Sequence, residues 1–201
     1  MSERVDDAAI IARSREEPQF FATLFDRHFG VIHGYLDRRL GPGLADDLAA
    51  DVFSLAFESR ERFRPMHASA RSWLYGIASN QLLRHRRSEL RRLRALARLE
   101  AMRIDAQGET ESADERLDAA SLRRPLFEAL AQLEARDRDV LLLVAWEGLS
   151  YEEVSDALEI PVGTVRSRLN RARKAVRTAL AGCEGEDECV SLGPMLGGID
   201  A

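Results

Sequence analysis

The segment Leu149–Leu180 constrains this chain more than any other, because two stretches of helical apolar spacing are separated by so few residues that the chain must turn sharply between them. Ser150 stands where an N-cap belongs, and Glu153 three residues later completes a capping box, so the first helix starts there. Glu159 to Gly163 forms the turn. Pro161 fits only at the very start of the helix that follows, since its ring would clash further in. In that helix Val165, Leu169, Ala172, Val176 and Leu180 make a buried stripe, leaving Arg166, Ser167, Asn170, Arg171, Arg173 and Lys174 outward. A helix-turn-helix is predicted. The second helix of such a pair enters the major groove with its N-terminal part, where arginine pairs bidentately with guanine and asparagine with adenine. Arg173, Lys174 and Arg177 lie farther along and meet phosphates more naturally. The competing reading is a basic amphipathic helix that is merely solvated, and the capped helix and tight turn before it weigh against that.

Upstream, helical periodicity continues and no run alternates like a strand, so the chain is expected to be all-α. Phe20 to Leu36 carries apolar residues at helical spacing until Gly41-Pro42-Gly43 breaks it. A second helix is expected from about Leu44 to Ser59, with Leu48, Val52, Leu55 and Ala56 inward. Arg62 to Ala70 contains Pro65 and no rhythm, which marks a loop before a third helix from about Ser72 to Arg87 or beyond. Ile104 to Asp118 is polar and acidic with little to bury. The expected organisation is therefore an N-terminal segment 1–17, a helical domain 18–103, a flexible acidic linker 104–120, a helix-turn-helix domain 121–181 and a disordered acidic tail 182–201.

The formal net charge of −5 is unlike a nucleic-acid binder, but the charges come in blocks. Arg84 to Arg103 holds eight arginines against Glu89 and Glu100, and Pro161 to Arg177 holds six basic residues and no acid. Two basic stations are thus each followed by an acidic stretch. Lys174 is the one lysine among 29 basic residues, which fits a GC-rich genome or a demand for guanidinium groups. No stretch approaches the run of about 20 apolar residues a membrane span needs, and Met1 to Glu17 is charged rather than a signal peptide, so a cytoplasmic protein is expected. His28, His33, His67 and His85 lack zinc-site spacing, and no nucleophile, phosphate loop or paired catalytic carboxylates stand out. Neither an enzyme, a metal nor a cofactor is expected. Cys183 and Cys189 are the two cysteines, read as free thiols in the tail or as a redox or metal half-site.

Gly148 to Arg173, GLSYEEVSDALEIPVGTVRSRLNRAR, closely resembles the promoter-reading end of the extracytoplasmic-function (ECF) sigma factors of the sigma-70 family. The resemblance implies recognition of the −35 element, with Gly163, Thr164, Arg166, Ser167, Asn170 and Arg171 at the positions the family uses for DNA. Leu133-Glu134 stands where the family usually has Leu-Pro. Ala45 to Phe53 looks like the family's polymerase-binding helix, and Asp47 and Asp51, four apart, share a face that meets basic groups of a partner or simply solvates the helix. Glutamine is usual in the family where Ala50 stands. Ser72 to Asn80 resembles the segment that holds the −10 element open. On a helical wheel Trp73, Asn80, Arg84 and Arg87 fall on one side, joining an aromatic plane, an amide and guanidiniums, which suits unpaired bases. Trp73 by itself reads first as a core residue.

The resemblance implies a sigma factor that binds core RNA polymerase and promoter DNA, both as duplex and as opened non-template strand. It also brings in an anti-sigma factor as a partner, which no residue of the sequence identifies. The linker's acids either imitate phosphates in a polymerase channel or only solvate it. The alternative is a stand-alone helix-turn-helix regulator of duplex DNA, which needs neither the Asp47/Asp51 helix nor the Trp73/Asn80 helix.

Overall fold

The computed structural model describes residues 6–64, 69–106 and 122–181, and the regular structure there is helical throughout. The helices are α1 (Asp7–Arg13), α2 (Phe21–Leu40), α3 (Pro42–Ser59), α4 (Ala70–Leu82), α5 (Arg86–Ala106), α6 (Arg123–Gln132), α7 (Ala135–Ala145), α8 (Tyr151–Leu158) and α9 (Val162–Ala181). The all-α expectation holds. Residues 107–120 of the expected linker, residues 65–68 of the expected loop, and the tail with Cys183 and Cys189 lie outside the described residues.

Two compact units emerge, and they do not follow chain order. The first gathers the described residues up to His85 together with Glu147–Val165, and the second gathers Arg86–Trp146 with the chain from Arg166. Helix α9 contributes its first turn to one and the rest to the other.

In the first unit, Gly41 ends α2 at φ 90° and ψ 164°, a conformation that a side chain would strain, and its amide donates to the Asp37 carbonyl at 2.8 Å. Pro42 then opens α3 at once, two residues earlier than expected, because its ring presets φ and an N-terminal amide would be unpaired anyway. Helix α2 packs on α3, and α3 on α4. Leu24, Ile32, Tyr35, Leu36, Val52, Leu74 and Tyr75 form a fully buried centre. Leu55 does not join it: it is exposed, and Ala45, Ala49 and Phe53 line the inner face of α3 beside Leu48, Val52 and Ala56. The charged N-terminal stretch supplies an unexpected helix. Ile10 and Ile11 bury α1, and Asp7 ties it to α2 through Arg27 Nη1 at 2.9 Å and His28 Nε2 at 2.7 Å.

The expected helix from Ser72 to Arg87 is divided. Ser69 Oγ caps α4 by accepting from the Ser72 amide at 3.0 Å, and α4 closes at Leu82 into a 3-10 turn, Leu83–His85, before α5 begins. A 3-10 turn advances about 120° per residue against about 100° in an α-helix, so a wheel drawn from Trp73 loses its phase before Arg87.

The second unit is built from α5, α6, α7 and the body of α9. Helix α5 packs along α6 and runs on to Ala106, into the start of the expected linker. Leu93, Leu130, Val140, Leu141, Leu143, Leu169 and Val176 are buried in it. Two neighbours on α7 reach opposite ways: Arg138 joins Glu89 of α5, and Asp137 joins Arg171 of α9.

Candidate nucleic-acid interface

The helix-turn-helix forms as its local sequence dictates. Ser150 Oγ accepts from the Glu153 amide at 3.1 Å, and Glu153 Oε2 accepts from the Ser150 amide at 2.9 Å. Glu159 closes α8 in the left-handed region at φ 51°, the conformation in which a helix most often stops. Ser155 secures the turn, its carbonyl accepting from the Ile160 amide at 3.1 Å and its hydroxyl donating to the Ile160 carbonyl at 2.5 Å. The Pro161 carbonyl then accepts from Thr164 at 2.8 Å and Val165 at 3.1 Å, which starts α9.

Along α9 the stripe Val165, Leu169, Ala172, Val176 and Leu180 is buried, so the opposite face is fixed in orientation. Gly163, Arg166, Ser167, Asn170, Arg171 and Lys174 are exposed on it, with Thr164 and Arg173 half-buried at its margins. Arg171 is held by a buried carboxylate. Its Nε and Nη2 donate to the two carboxylate oxygens of Asp137 at 2.5 and 2.8 Å, and these bonds, with the Asp137 charge and that of Glu134, raise the guanidinium's pKa.

In the first unit Trp73 and Asn80 line one cleft of about 570 Å³. Phe63 lies against Trp73 with ring centroids 5.0 Å apart, and Arg62 and Arg64 line the same cleft. Arg84 and Arg87 are exposed but do not line it; Arg84 sits on the 3-10 turn, and Arg87 belongs to α5 in the second unit. Arg62 and Arg64 therefore take the cationic place that the helical wheel gave to Arg84 and Arg87. They lie in the stretch before α4 that sequence periodicity could not place.

Ser155, Asp156, Ala157, Glu159 and Ile160 make the facing wall of this cleft. Helices α4 and α8 approach closely because Gly76 has no side chain: a Cβ there would stand 2.5 Å from the Ala157 carbonyl oxygen. Beside this contact the buried carboxylate of Glu147 accepts from Tyr75 Oη at 2.5 Å and from Arg38 Nη2, while its carbonyl accepts from Arg71 Nη2. Burial and the Glu147 carboxylate push the Tyr75 phenol well above its ordinary range, against the weaker pull of Arg71.

Asp47 and Asp51 project from the exposed face of α3 one turn apart, and the adjacent Asp46 is paired with His33 at 2.7 Å. Sequence reasoning did not find Asp137 or Glu147. A signal existed for Asp137, which falls three, four and seven residues before Val140, Leu141 and Val144 and so lies on the inner stripe of α7. None existed for Glu147, whose partners are far away in sequence.

Among known proteins, the family description "Sigma-70 region 2" matches residues 24–92, and "Sigma-70, region 4" matches residues 123–176. The ECF RNA polymerase sigma-E factor of Haemophilus influenzae is 27% identical, covering 90% of this chain and 98% of its own. That of Escherichia coli K12 is 29% identical, covering 88% and 95%. Two solved structures share the fold. CnrH in complex with the cytosolic domain of CnrY superposes with a TM-score of 0.59 at 24% identity, covering 88% of this chain and 97% of that one. Sigma factor RpoE with the anti-sigma factor NepR from Bartonella quintana gives 0.53 at 21%, covering 80% and 96%.

With a region 2 and a region 4 in one helical chain, the protein is a sigma factor of the sigma-70 family, a class that directs the start of transcription. It belongs to the ECF subfamily, and the match to region 2 as well as region 4 disfavours a stand-alone regulator.

Proposed function

We propose that this sigma factor binds core RNA polymerase through the Asp47/Asp51 face of α3, reads a −35 element with α9, and captures bases of an opened −10 element in the Trp73/Asn80 cleft. The division of labour keeps the expected domains, 18–103 for polymerase and the −10 element and 121–181 for the −35 element, although α8 of the latter also walls the cleft. One observation carries the reading: the fully buried stripe of α9 fixes an outward row, Gly163, Arg166, Ser167 and Asn170, at the start of a capped helix-turn-helix. That end of the second helix is the one that meets base edges in the major groove, with Arg173 and Lys174 behind it for phosphates.

At the cleft, an indole beside a phenyl ring offers a stacking surface, Asn80 an amide for a base edge, and Arg62 and Arg64 a cationic track. Unstacking a base costs on the order of a few kcal/mol, which stacking and phosphate contacts offset without nucleotide hydrolysis. Arg84 and Arg87 are further exposed cations for phosphates of the opened strand. Each reader is small and binds weakly alone; joined by the linker on one polymerase they bind jointly far more tightly. The activity places the protein in the cytoplasm, with an anti-sigma factor as the partner that restrains it.

The test adds the protein to bacterial core RNA polymerase and maps transcript starts from a library of duplexes. Defined starts that weaken in Asp47→Ala/Asp51→Ala and in Asn170→Ala support the proposal. Failure to bind core, with tight duplex binding by the protein alone, would instead mark a stand-alone regulator.

A further inference from the structure

Asp137 and Arg171 form an asymmetric pair: the Asp137 side chain is 4% exposed and that of Arg171 62% exposed. A guanidinium is a rigid planar fork with five N–H groups arranged on two bidentate edges. Asp137 takes the Nε/Nη2 edge, with contacts of 2.5 and 2.8 Å. The Nη1/Nη2 edge of the same plane is left for a ligand in solvent. Asp137 is the third residue of α7, where the helix dipole favours a carboxylate, and it is buried, so letting Arg171 go would strand its charge. The arginine is thereby fixed before it meets DNA.

We propose that Asp137 is a positioning residue for −35 recognition: it fixes Arg171 so that the outward Nη1/Nη2 edge pairs with O6 and N7 of a guanine in the major groove. The inference rests on the reading of α9 as the −35 helix. Guanine is the base that presents two acceptors side by side at the spacing of this edge. A tethered arginine has fewer rotamers to lose on binding, so the gain falls on one base pair rather than on affinity for DNA at large. A mere tie between α7 and α9 would act on every sequence alike.

The test uses the reconstituted holoenzyme and a promoter that the wild type selects from random duplexes, with each −35 base pair then substituted in turn. Arg171→Ala is expected to erase a guanine preference at one position by about tenfold. Asp137→Asn is expected to weaken the preference at that same position by about three- to tenfold, leave the other positions unchanged, and add nothing in the Arg171→Ala background. Asp137→Glu, which keeps the charge and displaces it by one methylene, moves the same position by less, and it answers the question should the asparagine variant melt below the assay temperature. An equal loss across all −35 variants, a general gain in transcription, or an Arg171→Ala loss that is blind to base overturns the inference while defined starts keep the sigma reading intact. A wild-type holoenzyme without defined starts overturns that reading and the inference with it.

Discussion

Two ion pairs made by adjacent residues of α7 show how one kind of contact serves opposite ends. Arg138 meets Glu89 at 3.1 Å with both side chains 3% exposed, and Arg138 Nη2 also donates to the Leu133 carbonyl at 2.9 Å. Asp137 meets Arg171 with only the carboxylate buried. The first pair is buried and ties α5 to α7. In the second, the same chemistry holds an arginine up to solvent. Exposure of the guanidinium, rather than the hydrogen bonds, separates a fastener from a presented group.

The largest effect should come from breaking the closed pair. Glu89→Ala strands the buried Arg138 guanidinium and is expected to cost about 3–5 kcal/mol in denaturant unfolding, whereas Glu89→Leu combined with Arg138→Met should recover most of it. Arg171→Ala leaves the Asp137 carboxylate without its partner and should lower the unfolding midpoint, but by less than Glu89→Ala, since only one member of that pair is buried. A midpoint that falls as far in Arg171→Ala as in Glu89→Ala would erase the contrast.

A middle case is Glu147, buried like Glu89 but satisfied partly by the neutral Tyr75. Tyr75→Phe removes one donor and should cost about 1–3 kcal/mol. Because the folded phenol titrates above its ordinary value, its contribution is present below pH ~10 and is lost as pH rises beyond it. Alkaline titrations of stability should therefore fall more steeply for wild type than for Tyr75→Phe.

Asp7 sharpens the comparison from the exposed side. Burial raises its pKa, but hydrogen bonds and charge from Arg27 and His28 outweigh that and lower it. Its stabilising contribution is present above the unfolded carboxylate range near pH ~4 and fades as pH falls through the lower folded value. The difference between wild type and Asp7→Asn should narrow as unfolding is measured from pH 6 down to pH 3. The smallest effect is expected at Glu159, whose left-handed backbone suits glycine; Glu159→Gly should stabilise by about 0.5–1 kcal/mol in thermal unfolding.

The helix-turn-helix was legible in the sequence because each of its determinants is local. Ser150 and Glu153 are three residues apart, and the α9 stripe from Val165 to Leu180 repeats within one helix. The outward face of Arg166, Ser167 and Asn170 follows from the same periodicity. Other features escaped for equally physical reasons. The 3-10 turn at Leu83–His85 changes the angular step without an apolar signature, so a single helical wheel cannot run from Trp73 through to Arg87. Phe63 lies against Trp73, and Arg62 and Arg64 line the same cleft, all from a segment without a repeat. Leu55 fits a wheel as well as Phe53 does, and only the neighbours of α3 decide which one is covered.

By itself, then, the sequence determined the helical class, the helix-turn-helix with its outward row, and the family likeness of both ends, because caps, turns and periodicity act over a few residues. Only the tertiary structure decided which charged groups are paired. Asp137 reaches Arg171 and Arg138 reaches Glu89 across 34 and 49 positions of chain. Such pairings depend on where folded helices come to lie, and a charge in a sequence carries no mark of whether it will meet water or a partner.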